Sequence, residues 1–229
     1  MMRRLGLIAA LMASGAAADT NLSPEAAALI APVHAAYVAV EQRQAALPPA
    51  ADDRERLERL GELDQQARIV WEKIDLSRLP EDQRALANAA LAAEITAHDV
   101  ADQTALKRLI PAEGWFRKSV VGKKAALAAF LIVQHAETDP DLMRATLPKI
   151  EAMVKQSEAS GEQYALLYDR VTLSFDKKQQ RYGTQLGCVN GKWAALNLED
   201  PDRVDERRTS LGMQPEASYL AGFRELPCP

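Results

Sequence analysis

"EDQRALANAALAAEITAHDVADQTALKRLI", residues 81–110, is the stretch whose reading decides the fold. It contains neither glycine nor proline, and alanine and leucine, the strong helix formers, recur throughout it. Pro80 suits the start of a helix and Pro111 suits its stop. Nearly the whole stretch therefore reads as helix, with a break expected near Asp99–Asp102 because few helices run so long.

The neighbouring segments carry the same signal. Residues 53–74, "DRERLERLGELDQQARIVWEKI", form a second predicted helix, with Leu57, Leu60, Leu63, Ala67 and Val70 as its buried stripe. Before it, Ser23 is an N-cap, Pro24 sits at the first helical position, and Leu29, Val33, Tyr37 and Val40 mark an apolar face, with a kink expected at Pro32. After it, "KKAALAAFLIVQHAE" (123–137) is the most apolar helix and is expected to be central. Asp139–Pro140 opens a further helix, with Gly161 expected as its C-terminal stop. The helix beginning at 162 becomes ambiguous at Val171, Thr172 and Phe175, which favour strands.

From Gln180 the period changes. "RYGTQLGCV" and "KWAALNL" flank Asn190–Gly191, a dipeptide that favours a tight hairpin turn. Two short helices follow, at 200–212 and 215–223. The chain thus reads as mainly α: a single helical domain over residues 19–229 with one C-terminal β-hairpin near 180–198.

The N-terminus sets the expected compartment. "MMRRLGLIAALMASGAAADT" has two arginines, a short apolar run and an Ala16-Ala17-Ala18 cleavage site, so residues 1–18 read as a signal peptide. The apolar run is shorter than the roughly 20 residues needed to span a bilayer. A periplasmic or secreted protein is expected, with no membrane insertion after cleavage. Loss of Arg3 and Arg4 takes the formal charge of the 229-residue chain from −4 to −6, which excludes electrostatic attraction to nucleic acid. The two cysteines, Cys188 and Cys228, are expected to form a disulfide in an oxidising compartment.

Four places could carry chemistry. His135, beside Gln134 at the end of the apolar helix, could serve as a base or as a satisfied core histidine. Asp169 and Arg170 are adjacent, so on a helix they point in different directions and could serve different partners. In "QRYGTQ", Gly183 would let backbone N–H groups approach a ligand; on a strand Tyr182 and Thr184 would share one face and Gln185 the other. Asp64 and Arg68 are spaced i, i+4, the ordinary spacing of a helix-surface ion pair. His34 and His98, among polar residues, read as solvated. Glu137, Asp139 and Asp141 alternate like a calcium loop but lack its glycine and terminal glutamate, so no metal site is expected. No phosphate loop or dinucleotide-binding glycine motif is present, and no cofactor is expected.

"DQQAR" (64–68), "GWFRKSVVG" (114–122), "AAFLIVQHAETD" (128–139), "LLYDRV" (166–171), "QQRYGTQ" (179–185) and "DPDRVDERRTSLGM" (200–213) together resemble DUF6624, a bacterial family of unknown function, over about residues 60–212. The resemblance implies that Asp64, Gln65, Arg68, Asp99, Trp115, Gly122, Gln134, His135, Asp169, Arg170, Tyr182, Gly183, Thr184 and Gln185 occupy the family's motif positions. Phe116 stands where the family commonly has proline, and Glu137 where it commonly has aspartate. The family brings no established reaction.

So many separated polar groups exceed what a helical core needs, since each one buried alone is costly. They are expected to converge on a cleft between the central helix and the hairpin. Three functions follow. Asp64, Arg68, Trp115, Gln134, Tyr182, Thr184 and Gln185 could bind a small-molecule or peptide ligand, with Arg68 or Arg170 holding an anionic group. Alternatively, His135 could be the general base of a hydrolase or acyl-transfer enzyme, oriented by Asp169, with Arg170 stabilising negative charge. The third reading is a buried network that fixes the hairpin to the helices.

Overall fold

The computed structural model describes residues 21–226 and Cys228; the expected signal peptide, residues 1–18, lies outside the described residues. The fold is mainly α, with eight α-helices and one antiparallel hairpin among the described residues. The chain divides into two compact units. One comprises residues 21–110 and 121–138; the other comprises 111–120, 139–226 and Cys228. Pro111, Gly122 and Pro140 punctuate the chain where it passes from one unit to the other.

The first unit is built from α1 (Pro24–Ala45), α2 (Asp53–Trp71), α3 (Glu81–Leu109) and the part of α4 (Lys118–Gln134) that follows Val120. Ser23 caps α1 by accepting from the Ala26 N–H at 3.1 Å, and Asp52 caps α2 by accepting from Glu55 at 2.8 Å. α1 runs through Pro32. Val33 and Tyr37 of α1, Ala67 of α2, and Leu91 and Ile95 of α3 form its main apolar cluster. Each large side chain buried there contributes about 1.5–3 kcal/mol.

Two sequence expectations change in this unit. α3 is continuous across Asp99–Asp102, because those carboxylates turn inward and Asp99 is neutralised by Arg68. The buried face of α2 is Leu57, Gly61, Asp64 and Ala67, rotated from the expected leucine stripe. The cause is Gly61, where a Cβ would lie 2.4 Å from that of Ala128. Only glycine lets α2 and α4 come so close, and the approach turns Asp64, three residues on, to the inside.

The second unit contains α5 (Pro140–Lys155), α6 (Gly161–Arg170), β1 (Leu186–Val189), β2 (Lys192–Ala195), α7 (Val204–Ser210) and α8 (Glu216–Ala221). Asp139 caps α5, accepting from Leu142 at 3.0 Å. Gly161 is not the stop of α5; Ser157 takes the left-handed conformation there, with φ 59°. Instead Gly161 opens α6 behind a Ser160/Gln163 capping box, and its missing Cβ makes room for the Leu211 carbonyl. Val171–Phe175, the stretch that read ambiguously, extends α6 as one π-helical turn.

Asn190 and Gly191 close the hairpin with φ of 51° and 74°, and Cys188 faces Trp193 across it. The strands are shorter than expected. Residues 181–185 are not strand, and Gln180 makes only an isolated bridge to Leu198. Cys188 and Cys228 are joined, which on the chain-entropy argument contributes about 3–4 kcal/mol for a loop of this length. Among the described residues no helix is long and apolar enough to cross a membrane.

Candidate functional site

Each unit buries a polar network of its own. In the second unit the network closes around Asp169, whose carboxylate points into the 181–184 turn. It accepts from the backbone N–H groups of Arg181 (2.7 Å), Tyr182 (3.0 Å) and Thr184 (3.0 Å) and from the Thr184 hydroxyl (2.9 Å). Burial pushes the Asp169 pKa up, against the pull of these four donors. Gln180, fully buried, donates to the carbonyls of Gln185 and Leu196 and accepts from the Gln185 N–H at 2.9 Å. Arg208, also buried, donates to the carbonyls of Tyr182 (2.6 Å) and Gln214 (2.7 Å) and lies over the Tyr219 ring. The bend at Gly183, φ 65°, is what lets successive N–H groups converge on one carboxylate.

The first unit holds a different arrangement. His135 follows the last residue of α4, its N–H still bonded to the Leu131 carbonyl at 2.9 Å. Its Nδ1 lies 2.9 Å from Oδ1 of Asp64. Asp64 also accepts from Gln65 Nε2 at 2.6 Å and lies 3.5 Å from Arg68 Nε. Arg68 spans to α3, where it donates to Asp99. Asp102 lies one turn beyond Asp99 on the same helix, and Gln103 stands beside it.

The electrostatics split the carboxyls. Burial pushes Asp64 up, but His135, Arg68 and the Gln65 hydrogen bond outweigh it and hold the group at about 2. Burial, then the charges of Asp64 and Asp99, push Asp102 up to about 8 against the opposing pull of Arg68. Asp64 is therefore an anion near neutrality and Asp102 a neutral acid. Tyr37, also buried, has its pKa raised by desolvation and feels Arg68, Asp99, Asp64 and Asp102. His98 stacks on its ring with centroids 3.5 Å apart, so it is not the solvated residue its neighbours suggested. His34 is exposed and pairs with Glu94.

This network is both open and incomplete. Arg68, Asp99 and His135 keep 13%, 13% and 10% of their side chains exposed, whereas Asp64 keeps 1%. In the same unit, Asp102 Oδ2 and Gln103 Nε2 are buried without a hydrogen-bond partner, and so are both amide atoms of Gln134. Among the described residues no cluster of His, Cys, Asp and Glu is arranged to hold a metal ion.

The predicted site residues thus fall into two groups. Asp64, Arg68, Gln134 and His135 belong to the first unit; Trp115, Asp169, Arg170, Tyr182, Thr184 and Gln185 belong to the second. The carboxylate that orients His135 is Asp64, not the expected Asp169, which is committed to its own turn. Trp115 is buried edge-on to Phe116, and Arg170 is buried as well. Sequence reasoning missed Tyr37, Asp102 and Gln103; the spacing of Asp99, Asp102 and Gln103 along one helix face was the available signal.

A family model described as "Family of unknown function (DUF6624)" matches residues 72–225, two thirds of the chain. The chain belongs to DUF6624. No curated protein and no solved structure matches it. The matched range of this DUF6624 chain includes Asp99, Asp102, Gln134, His135 and the Asp169 turn, and begins just after Asp64 and Arg68.

Proposed function

We propose that the protein is secreted and binds a small or peptidic polar ligand at the cluster of Asp64, Arg68, Asp99 and His135. The observation that carries this reading is the set of orphaned polar atoms on Asp102, Gln103 and Gln134. A network that served only the fold would close, because each such buried atom costs about 1–3 kcal/mol. A polar ligand entering past the partly exposed Arg68, Asp99 and His135 would supply the missing partners. Arg68 is already balanced by Asp64 and Asp99, so the ligand's head group is a neutral donor or a cation rather than the anion first expected. Secretion is supported by the leader-like residues 1–18 and by the Cys188–Cys228 bond, which persists in oxidising compartments. The test is mass spectrometry of small molecules retained by protein purified from the periplasm, compared with a Gln134→Leu variant. A polar molecule carried by the parent and absent from the variant is the expected result; identical, empty spectra together with no thermal stabilisation by any amine or amide tried would sink it.

A second reading is favoured by the His135–Asp64 geometry. With Nδ1 held by a buried carboxylate, Nε2 is the nitrogen left to take a proton, and Asp102, which feels the charges of Asp64, Asp99 and Arg68, adds an acid with a raised pKa to the same network. Such a pair would activate water for hydrolysis. Screening ester and amide substrates against the parent and His135→Asn separates this reading from binding alone: turnover lost in the variant, with ligand still retained, supports catalysis.

A further inference from the structure

A second depression in the first unit lies where the end of α1, the start of α2 and the end of α3 meet. It is a shallow, open depression of about 320 Å³. Its apolar lining is Ala50, Leu60, Ala105 and Leu109, and three guanidinium groups, Arg56, Arg59 and Arg108, stand around it. No carboxylate is among its lining residues.

The arginines are not equally committed. Arg56 pairs with Asp53 at 2.5 Å. Arg59 is pinned through Nη2 to the Pro48 carbonyl at 2.9 Å and to Glu55 at 2.5 Å, while its Nε is buried with no partner. Arg108 forms no ion pair with any described residue. Of the helix ends at this corner, the carbonyl ends of α1 and α3 repel anions, and the amide end of α2, which would attract one, is already capped by Asp52. Any attraction for an anion therefore comes from the guanidinium groups, chiefly the exposed and unpaired Arg108.

We infer that this depression binds a small amphiphilic anion, a carboxylate or phosphate monoester on a short apolar tail. The tail covers Leu60, Ala105 and Leu109, and the head group pairs with Arg108. This site is separate from the His135 cluster, and its charge preference is the opposite one.

The test is titration calorimetry on the full mature chain with octanoate, octyl phosphate, neutral octanamide and inorganic phosphate. Octanoate or octyl phosphate should bind one to one, about tenfold or more tighter than octanamide, because a charge-assisted hydrogen bond to guanidinium is lost with the amide. Inorganic phosphate should bind more weakly than either, for want of the tail. Arg108→Gln, at an exposed position that leaves folding intact, should weaken the charged probes about tenfold and leave octanamide unchanged. The tighter of the two charged probes names the head group. Equal affinity for octanoate and octanamide, indifference to Arg108→Gln, or no heat from either charged amphiphile up to about 10 mM overturns the inference.

Discussion

Gln180 and Gln134 are both fully buried glutamines, one in each unit, and they meet opposite fates. The amide of Gln180 is saturated by the hairpin backbone, whereas the amide of Gln134 touches no hydrogen-bond partner at all. The same contrast separates Asp169, with four donors around it, from Asp102, with an orphaned oxygen. A polar group that completes its bonds is holding a backbone in place. One that leaves them unfilled in a folded protein asks for another partner, a water, an ion or a ligand. The difference fits the Asp169 network to architecture and is the ground on which the proposed ligand binding at the Asp64–His135 network rests, though both looked alike as strings of polar letters.

The contrast can be broken most directly at Asp169. Asp169→Ala strands three N–H groups and a hydroxyl in the interior, and should cost about 3–5 kcal/mol in denaturant unfolding. A loss under about 1 kcal/mol would mean that the turn does not depend on its carboxylate. The next effect is a matched pair. Gln180→Leu should destabilise by about 2–4 kcal/mol, because several backbone groups lose their partners. Gln134→Leu should be neutral or stabilising by up to about 1–2 kcal/mol, because an unsatisfied amide is replaced by an apolar group of similar size. Equal losses at both positions would erase the distinction between the networks.

A pH series sharpens it further. The folded-state pKa of Asp102, about 8, stands above its ordinary value of 3.8, so the folded chain binds the extra proton between these limits. Stability should therefore fall as pH rises from about 4 to about 8, and Asp102→Asn should flatten that slope. Asp64 runs the other way. Held at about 2, it contributes stability that is complete above about pH 4 and is lost as pH falls towards 2. Unfolding curves at pH 5 and 9 for the parent and Asp102→Asn check the first sign; a slope that survives the substitution refutes it. At Gly61→Ala a methyl group forced against Ala128 should cost about 1–3 kcal/mol and loosen the Asp64–His135 contact, read as a lower unfolding midpoint; no loss would mean that the close approach of α2 and α4 does not need the glycine.

Local signals were legible in the sequence wherever a short-range rule governs. Ser23 and Asp139 cap helices as their side chains predict, and Asn190–Gly191 turns the hairpin as its left-handed preference requires. The role of Asp64 was hidden. Spaced i, i+4 from Arg68, it looked like half of a surface pair, and only the contact at Gly61 turns it inward. Tyr37 read as one more apolar residue of α1, and its neighbours Arg68 and Asp99 come from other helices that no local pattern links. The "YGTQ" segment was read as a ligand wall because its groups are good donors. The structure turns those donors onto Asp169, a partner more than ten residues upstream.

The bond between Cys188 and Cys228 makes residues 188–228 a covalent ring that contains α7, α8 and the buried Arg208. Trp193 stands opposite Cys188 in the hairpin, and its indole N–H donates to the Leu226 carbonyl near the ring's closure. Material made in a reducing cytosol would carry this ring open, and its tail would be free to unzip from the hairpin. The choice of expression compartment thereby becomes a choice of molecule.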